Sequence, residues 1–137
     1  MKSTKITYWS TTAIIALMMT YSAYAYFTDP LIDKGFSHLG FPSYFRIELA
    51  IAKLIGVVVL LAPLATRIKD WAYAGFAITF ISAFIAHSAS GDPLSARIGP
   101  VVFFALLVAS YWSFSKLSAR RTRLQEPEKV ALSRTAA

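Results

Sequence analysis

Seven side chains could do chemistry here: His38, Arg46, Glu48, Lys53, His87, Asp92 and Arg97. Glu48 and Lys53 lie in 40–66, GFPSYFRIELAIAKLIGVVVLLAPLAT, whose charge-free part, 54–66, is too short to cross a bilayer. A spanning helix needs about 20 apolar residues at about 1.5 Å of rise each. A crossing at this point must therefore begin near Ile47 and carry both charges into the membrane. A charge near the bilayer centre costs about 2.5–3.5 kcal/mol on insertion scales, so it is rarely kept without a partner or a task. An ammonium can hold a carbonyl oxygen. An imidazole can exchange protons near neutral pH.

The elements that must position these groups follow from composition. The chain has 137 residues, 56% of them hydrophobic and 15% charged, with a mean hydropathy of +0.53. That is too apolar for one soluble domain of this size. The apolar residues fall into four blocks bounded by charges, 6–28, 47–66, 71–91 and 98–115. Each suits a membrane helix, and lipid requires backbone groups to be satisfied within the segment. The expectation is all-α: a four-helix transmembrane bundle with helices over about 6–28, 45–66, 71–90 and 98–117. One domain, 1–119, precedes a basic tail, 120–137, expected to be a helical extension and then disordered.

Basic residues set the orientation. Lys2, Lys5, Arg67, Lys69 and the cluster from Lys116 onward fall on one side, which predicts N-in and C-in. The net charge of +7 is thus a membrane feature and no argument for nucleic acid. Trp9, Trp71 and Trp112 mark the inner boundary, and Tyr21, Tyr24, Tyr26 and Tyr44 the outer one. There is no cysteine, which removes disulfides, thiol redox chemistry and thiolate ligands.

Lys2 and Lys5, the apolar run 13–19 and Ala23-Tyr24-Ala25 resemble a signal peptide, but apolar residues continue to Phe27 and favour a retained span. Residues 29–43 mix Leu31, Ile32, Phe36, Leu39 and Phe41 with Asp29, Asp33, Lys34 and His38. They suit a short interfacial or re-entrant piece, or a loop with a few buried apolar residues. Pro63 kinks or ends the second helix. Arg67-Ile68-Lys69-Asp70 reads as a tight inner turn. Gly75, Thr79, Ala83 and His87 share one face of the third helix, and Glu48, Ala52 and Gly56 one face of the second, so the two lines can pack together.

At depth, Glu48 and His87 then reach a similar level. Lys53 points about 140° away from Glu48, about 7.5 Å deeper, and snorkels outward. Asp92 and Arg97 close the top, with His38 and Arg46 joining them. The result is a polar pocket in the outer half of the bundle. The structural alternative is that these groups only neutralise one another and fix helix register. Two histidines, one of them in a span, offer neither a metal site nor a pair of axial haem ligands. G-x-S-x-G, P-loop and H-E-x-x-H patterns are absent, and Ser113-x-x-Lys116 stands at a membrane exit without a second signature.

The runs His38-Leu39-Gly40-Phe41-Pro42-x-Tyr44-Phe45 and Glu48-Leu49-x-Ile51-Ala52-Lys53-Leu54-Ile55-Gly56 resemble the DoxX-like family of small membrane proteins. So do Lys69-Asp70-Trp71-Ala72-Tyr73-Ala74-Gly75-Phe76 and the stretch from His87 to Gly91-Asp92. The resemblance covers about 21–111. It implies a four-helix transmembrane bundle and, for bacterial members, the inner membrane. The family takes its name from a small subunit of a thiosulfate–quinone oxidoreductase. Other relatives are similar to partners in redox-stress complexes or to helpers in membrane-protein assembly and cargo export. It assigns no catalytic residue that could be carried over to this chain.

Three readings follow. The first is a redox accessory subunit holding a quinone or lipid-like ligand between helices, with electrons supplied by a membrane or peripheral redox partner. Its ligand residues would be Glu48, Lys53, His87, Asp92, His38, Arg46 and Arg97, lined by Phe45, Phe80, Phe84 and Phe103. The second is an interaction or assembly module without chemistry. The third, a small transporter, lacks an evident inverted repeat and would need a homo-oligomer for alternating access.

Overall fold

The computed structural model describes residues 2–135 and is helical throughout, with no strand among them. Five helices follow one another: α1 (Lys2–Thr28), α2 (Pro30–His38), α3 (Ser43–Leu61), α4 (Thr66–Ala89) and α5 (Leu94–Thr135). α1 and α4 each pack on both α3 and α5, and the diagonal pairs stay apart along their backbones. Neighbours run antiparallel. Thr12 meets Ser110 while Tyr8 meets Phe114, and Tyr73 meets Ser110 while Phe80 meets Phe103. The short α2 lies across one end, against α1 and α3.

Local chemistry sets the ends. Asp29 caps α2, its carboxylate accepting from the Leu31 N–H at 2.8 Å, with Pro30 in the first turn where no N–H is needed. α2 and α4 both close on a left-handed glycine, Gly40 (φ 83°) and Gly91 (φ 71°). In each, the glycine N–H and the next N–H turn back onto the last turn: Gly40 to Ser37 and Phe41 to Phe36, Gly91 to Ser88 and Asp92 to His87. This is the Schellman arrangement, and a side chain at either glycine would strain it. Pro42 and Pro93 then prevent the helices from resuming.

Two boundaries differ from the sequence expectation. α3 stops at Leu61 rather than near Thr66, so of the two readings of Pro63 it is the stop that applies: Ala62 adopts an extended ψ of 150°, the conformation that a following proline favours. The turn between α3 and α4 is therefore 62–65, and Arg67-Ile68-Lys69-Asp70 forms the first turns of α4. At the other end, α5 stays helical to Thr135, across most of the segment 120–137 expected to lose structure. Its Ala, Arg, Leu, Gln and Lys residues are good helix formers.

The core runs along the bundle axis through Tyr8, Ile15, Met19, Val57, Leu60, Tyr73, Phe76, Phe80, Leu107 and Phe114. Gly56 lets α3 and α4 meet there: a Cβ on it would stand 2.6 Å from the Phe76 ring. Much of the remaining apolar surface faces outward. Thr66–Ala89 and Leu94–Pro127 are long and apolar enough to cross a membrane, and 17% and 11% of their most apolar windows are buried inside the bundle. An apolar exterior of this extent calls for apolar surroundings. α3 carries Arg46, Glu48 and Lys53, and α1 is diluted by threonines and tyrosines, so neither has so plain a composition.

Candidate functional site

The structure divides the seven predicted side chains into separate groups. Lys53 stands in register with the buried residues Ala50, Val57 and Leu60 of α3, and only 5% of it is exposed. Its ammonium donates to Ser22 Oγ at 2.9 Å and lies 3.7 Å from the centre of the Tyr26 ring, both on α1. No carboxylate pairs with it among the described residues. A hydroxyl and a ring face satisfy an ammonium only in part, since it carries three donors. Lys53 also lines a groove of about 370 Å³ between α3 and α4, with Leu49, Ala52, Gly56, Gly75 and Phe76. Of the two expected lines of small residues, Ala52 and Gly56 of one and Gly75 and Thr79 of the other border this groove.

At the α2 end, Asp92 joins both histidines. His87 Nδ1 lies 2.6 Å from one carboxylate oxygen and His38 Nε2 lies 2.8 Å from the other. The Schellman cap produces the first contact, because it folds the Asp92 backbone onto the His87 carbonyl. The hydrogen bond from His87, then that from His38, holds the Asp92 carboxyl below the usual carboxylate range. His87 therefore does not meet Glu48, the pairing that the small-residue lines suggest. Glu48 is exposed and without a hydrogen bond or ion pair among the described residues.

Arg46 joins three elements. Its Nε stands 3.1 Å from Asp33 of α2, and its Nη1 donates to the Tyr26 carbonyl, one of the last acceptors of α1. Arg97 forms no such bond among the described residues, and its Nε is buried without a partner. The shared pocket of the sequence reading is thus three neighbouring arrangements: Lys53 with α1, Arg46 with Asp33 and α1, and Asp92 with two imidazoles.

A fourth polar group was not anticipated. Lys69, expected in an inner turn, is 7% exposed; its ammonium donates to the Leu60 carbonyl at 2.8 Å and to Tyr8 Oη at 3.3 Å. Leu60 lies in the last turn of α3, so Lys69 caps that helix. Nearby, Ser110 Oγ stands 2.8 Å from both Thr12 Oγ1 and Tyr73 Oη, tying α1, α4 and α5 together in the core. The sequence signal was phase. Lys69, Tyr73, Phe76 and Phe80 recur on one helical face, as do Tyr8, Thr12, Ile15 and Met19.

Among the described residues no group of three His, Asp or Glu side chains could hold a metal ion. Compared with known proteins, residues 10–110 match the family model described as "DoxX-like family". No curated protein and no solved structure matches the chain.

Proposed function

The chain belongs to the DoxX-like family, and from that premise we propose that it is a multi-pass protein of a bacterial inner membrane that holds a quinone or lipid-like ligand at Lys53. In this reading α1, α3, α4 and α5 all cross the bilayer, N-in and C-in, and α2 lies at the outer interface. The basic residues support that orientation: Arg120, Arg121 and Arg123 of α5 stand exposed at the end away from α2.

One observation carries the ligand: a buried lysine with no carboxylate partner among the described residues, itself lining an apolar groove between two helices. An uncompensated cation in lipid is costly, and a ligand oxygen offsets that cost. The residues fit such a group, since Lys53 can donate to a carbonyl while Ala52, Gly56 and Phe76 face its ring or chain. A bound quinone would supply electron and proton acceptance. This chain supplies the ammonium that orients it and apolar walls that exclude water. Electrons come from a partner, so the chain acts as an accessory subunit.

Binding of a quinone analogue to the purified protein in nanodiscs tests the reading. We expect saturable binding that Lys53→Met weakens by about ten- to a hundredfold, the value of a hydrogen bond to a charged donor. Absence of binding by the unmutated protein would retire it.

A second reading, an interaction or assembly module, rests on the end of α5, which runs on past the core residue Phe114 as an exposed basic helix. Truncation after Leu117 would then release a co-purifying partner, and Glu48→Gln would not.

A further inference from the structure

We propose that the outward face of α5 from Trp112 to Arg123 binds the headgroups of anionic phospholipids. This rests on the reading above that α5 crosses the bilayer, and it is independent of any ligand at Lys53.

Phase defines the face. At about 100° per residue, Val101, Val108, Trp112, Lys116, Arg120 and Arg123 fall within one sector of α5 about 120° wide. All are exposed, Val101 and Val108 each by 51% and Trp112 by 65%. The buried Ser110 and Phe114 occupy the opposite side, where they meet Thr12 and Tyr8 of α1 and Tyr73 of α4. The stripe therefore faces away from the bundle. Along its length it is apolar, then indole, then cationic. That order matches the depth profile of one leaflet, from acyl chains through the interface to the phosphates.

Helix direction sets the reach. α5 runs toward its basic end, and helical side chains lean toward the N-terminus, so these cations lean back toward the bilayer. Lys116 shows it: its ammonium lies 4.0 Å from the centre of the Trp112 ring, one turn back. An ammonium on a ring face keeps protons for phosphate oxygens. At about 1.5 Å per residue, Lys116 and Arg120 stand about 6 and 12 Å beyond Trp112. The headgroup layer is about 5–8 Å deep, which the long stems of these two side chains can span. Arg123 lies one turn further and adds its charge from just outside that layer, within about a Debye length of 8 Å.

Little of opposite sign competes. No Asp or Glu stands between Asp92 and Glu126, where the cationic run ends. Lys116, Arg120 and Arg123 form no ion pair among the described residues. Lys2 and Lys5 of α1 are exposed at the same level, because Tyr8 packs on Phe114. Such a face, bordering lipid on the outside of a bundle, is complemented by an anionic leaflet. Arg121 is the natural control. It carries the same charge beside Arg120 but points about 180° away from Trp112.

Trp9→Phe and Trp71→Phe leave Trp112 as the one tryptophan. The full chain with both changes is reconstituted in vesicles of equal phosphatidylglycerol and phosphatidylcholine, with one or the other brominated on its upper acyl chains. Both lipids should quench Trp112, with phosphatidylglycerol favoured at that site by about fivefold or more, the value of one basic residue at an anionic surface. Lys116→Gln with Arg120→Gln should bring the preference close to unity. Arg121→Gln should change it by less than about twofold. Equal quenching in the parent chain, a preference that survives the paired substitution, or one that Arg121→Gln abolishes would overturn the proposal while keeping α5 in the bilayer. The basic face would then fall to the protein partner of the second reading. No quenching by either lipid would remove the crossing of α5 as well.

Discussion

Two buried lysines, sixteen residues apart in sequence, reach different levels of α1, Lys53 at Ser22 and Lys69 at Tyr8, and are satisfied in different ways. Lys69 gives its protons to a helix-end carbonyl and a tyrosine hydroxyl, both of which need a donor if they are to stay out of water. Lys53 rests on a serine hydroxyl and an aromatic face, and neither would be stranded by its loss, because a serine can turn to its own helix backbone. One lysine is required by the fold. The other is carried by it. That contrast is the physical ground for placing function at Lys53.

The sharpest way to break the contrast is Lys69→Met, which keeps the apolar stem and removes the cap. The Leu60 carbonyl then lies buried without this donor, and the Tyr8 hydroxyl loses its partner. We expect a loss of about 2–3 kcal/mol, read as a lower unfolding midpoint in mild detergent. A loss as small as that at Lys53 would mean that Lys69 is no more structural than Lys53.

Next in size is Ser110→Ala. Ser110 is fully buried and bonds to Thr12 and Tyr73, so both hydroxyls lose a partner at once. Hydrogen bonds between membrane helices are worth less than their burial suggests, about 0.6 kcal/mol on average. The expected loss is about 1–2 kcal/mol in the same unfolding measurement. Gly56→Ala should cost about 1 kcal/mol or more, because the Phe76 ring must move to admit the methyl group. It would also narrow the groove, so a quinone analogue should bind more weakly to a chain that remains folded.

These residues differ in how far the sequence exposes them. The charges in α3 stand out because they interrupt apolar runs, and Lys53 is conspicuous for that reason. Lys69 was hidden by a boundary. With the second helix carried to Thr66, 67–70 looks like a turn; with α3 ending at Leu61 and α4 starting at Thr66, Lys69 falls in phase with Tyr73, Phe76 and Phe80. Thr12 and Ser110 were hidden because a hydroxyl among apolar residues carries no signal until its partner is found across the bundle. Glu48 misled for the opposite reason. Depth and a shared line of small residues brought it level with His87, but Asp92 was already placed beside that imidazole by Gly91. A local cap, six residues long from His87 to Asp92, outcompeted a contact between helices.

The smallest expected change is the most discriminating. Lys53→Met removes one hydrogen bond from an ammonium and one contact with an aromatic face, each worth about 0.5–2 kcal/mol. It also removes an unpaired cation from an apolar interior, which is a gain of similar size. Methionine fills nearly the same volume along the groove. The two effects should cancel to within about 1 kcal/mol, so the unfolding midpoint should barely move while binding of a quinone analogue falls by tenfold or more. If the midpoint drops as far as it does for Lys69→Met, the ammonium is a structural strut and the groove has lost its reason to hold a ligand. If stability is kept and binding is lost, the cost of burying that charge has been separated from folding and assigned to recognition.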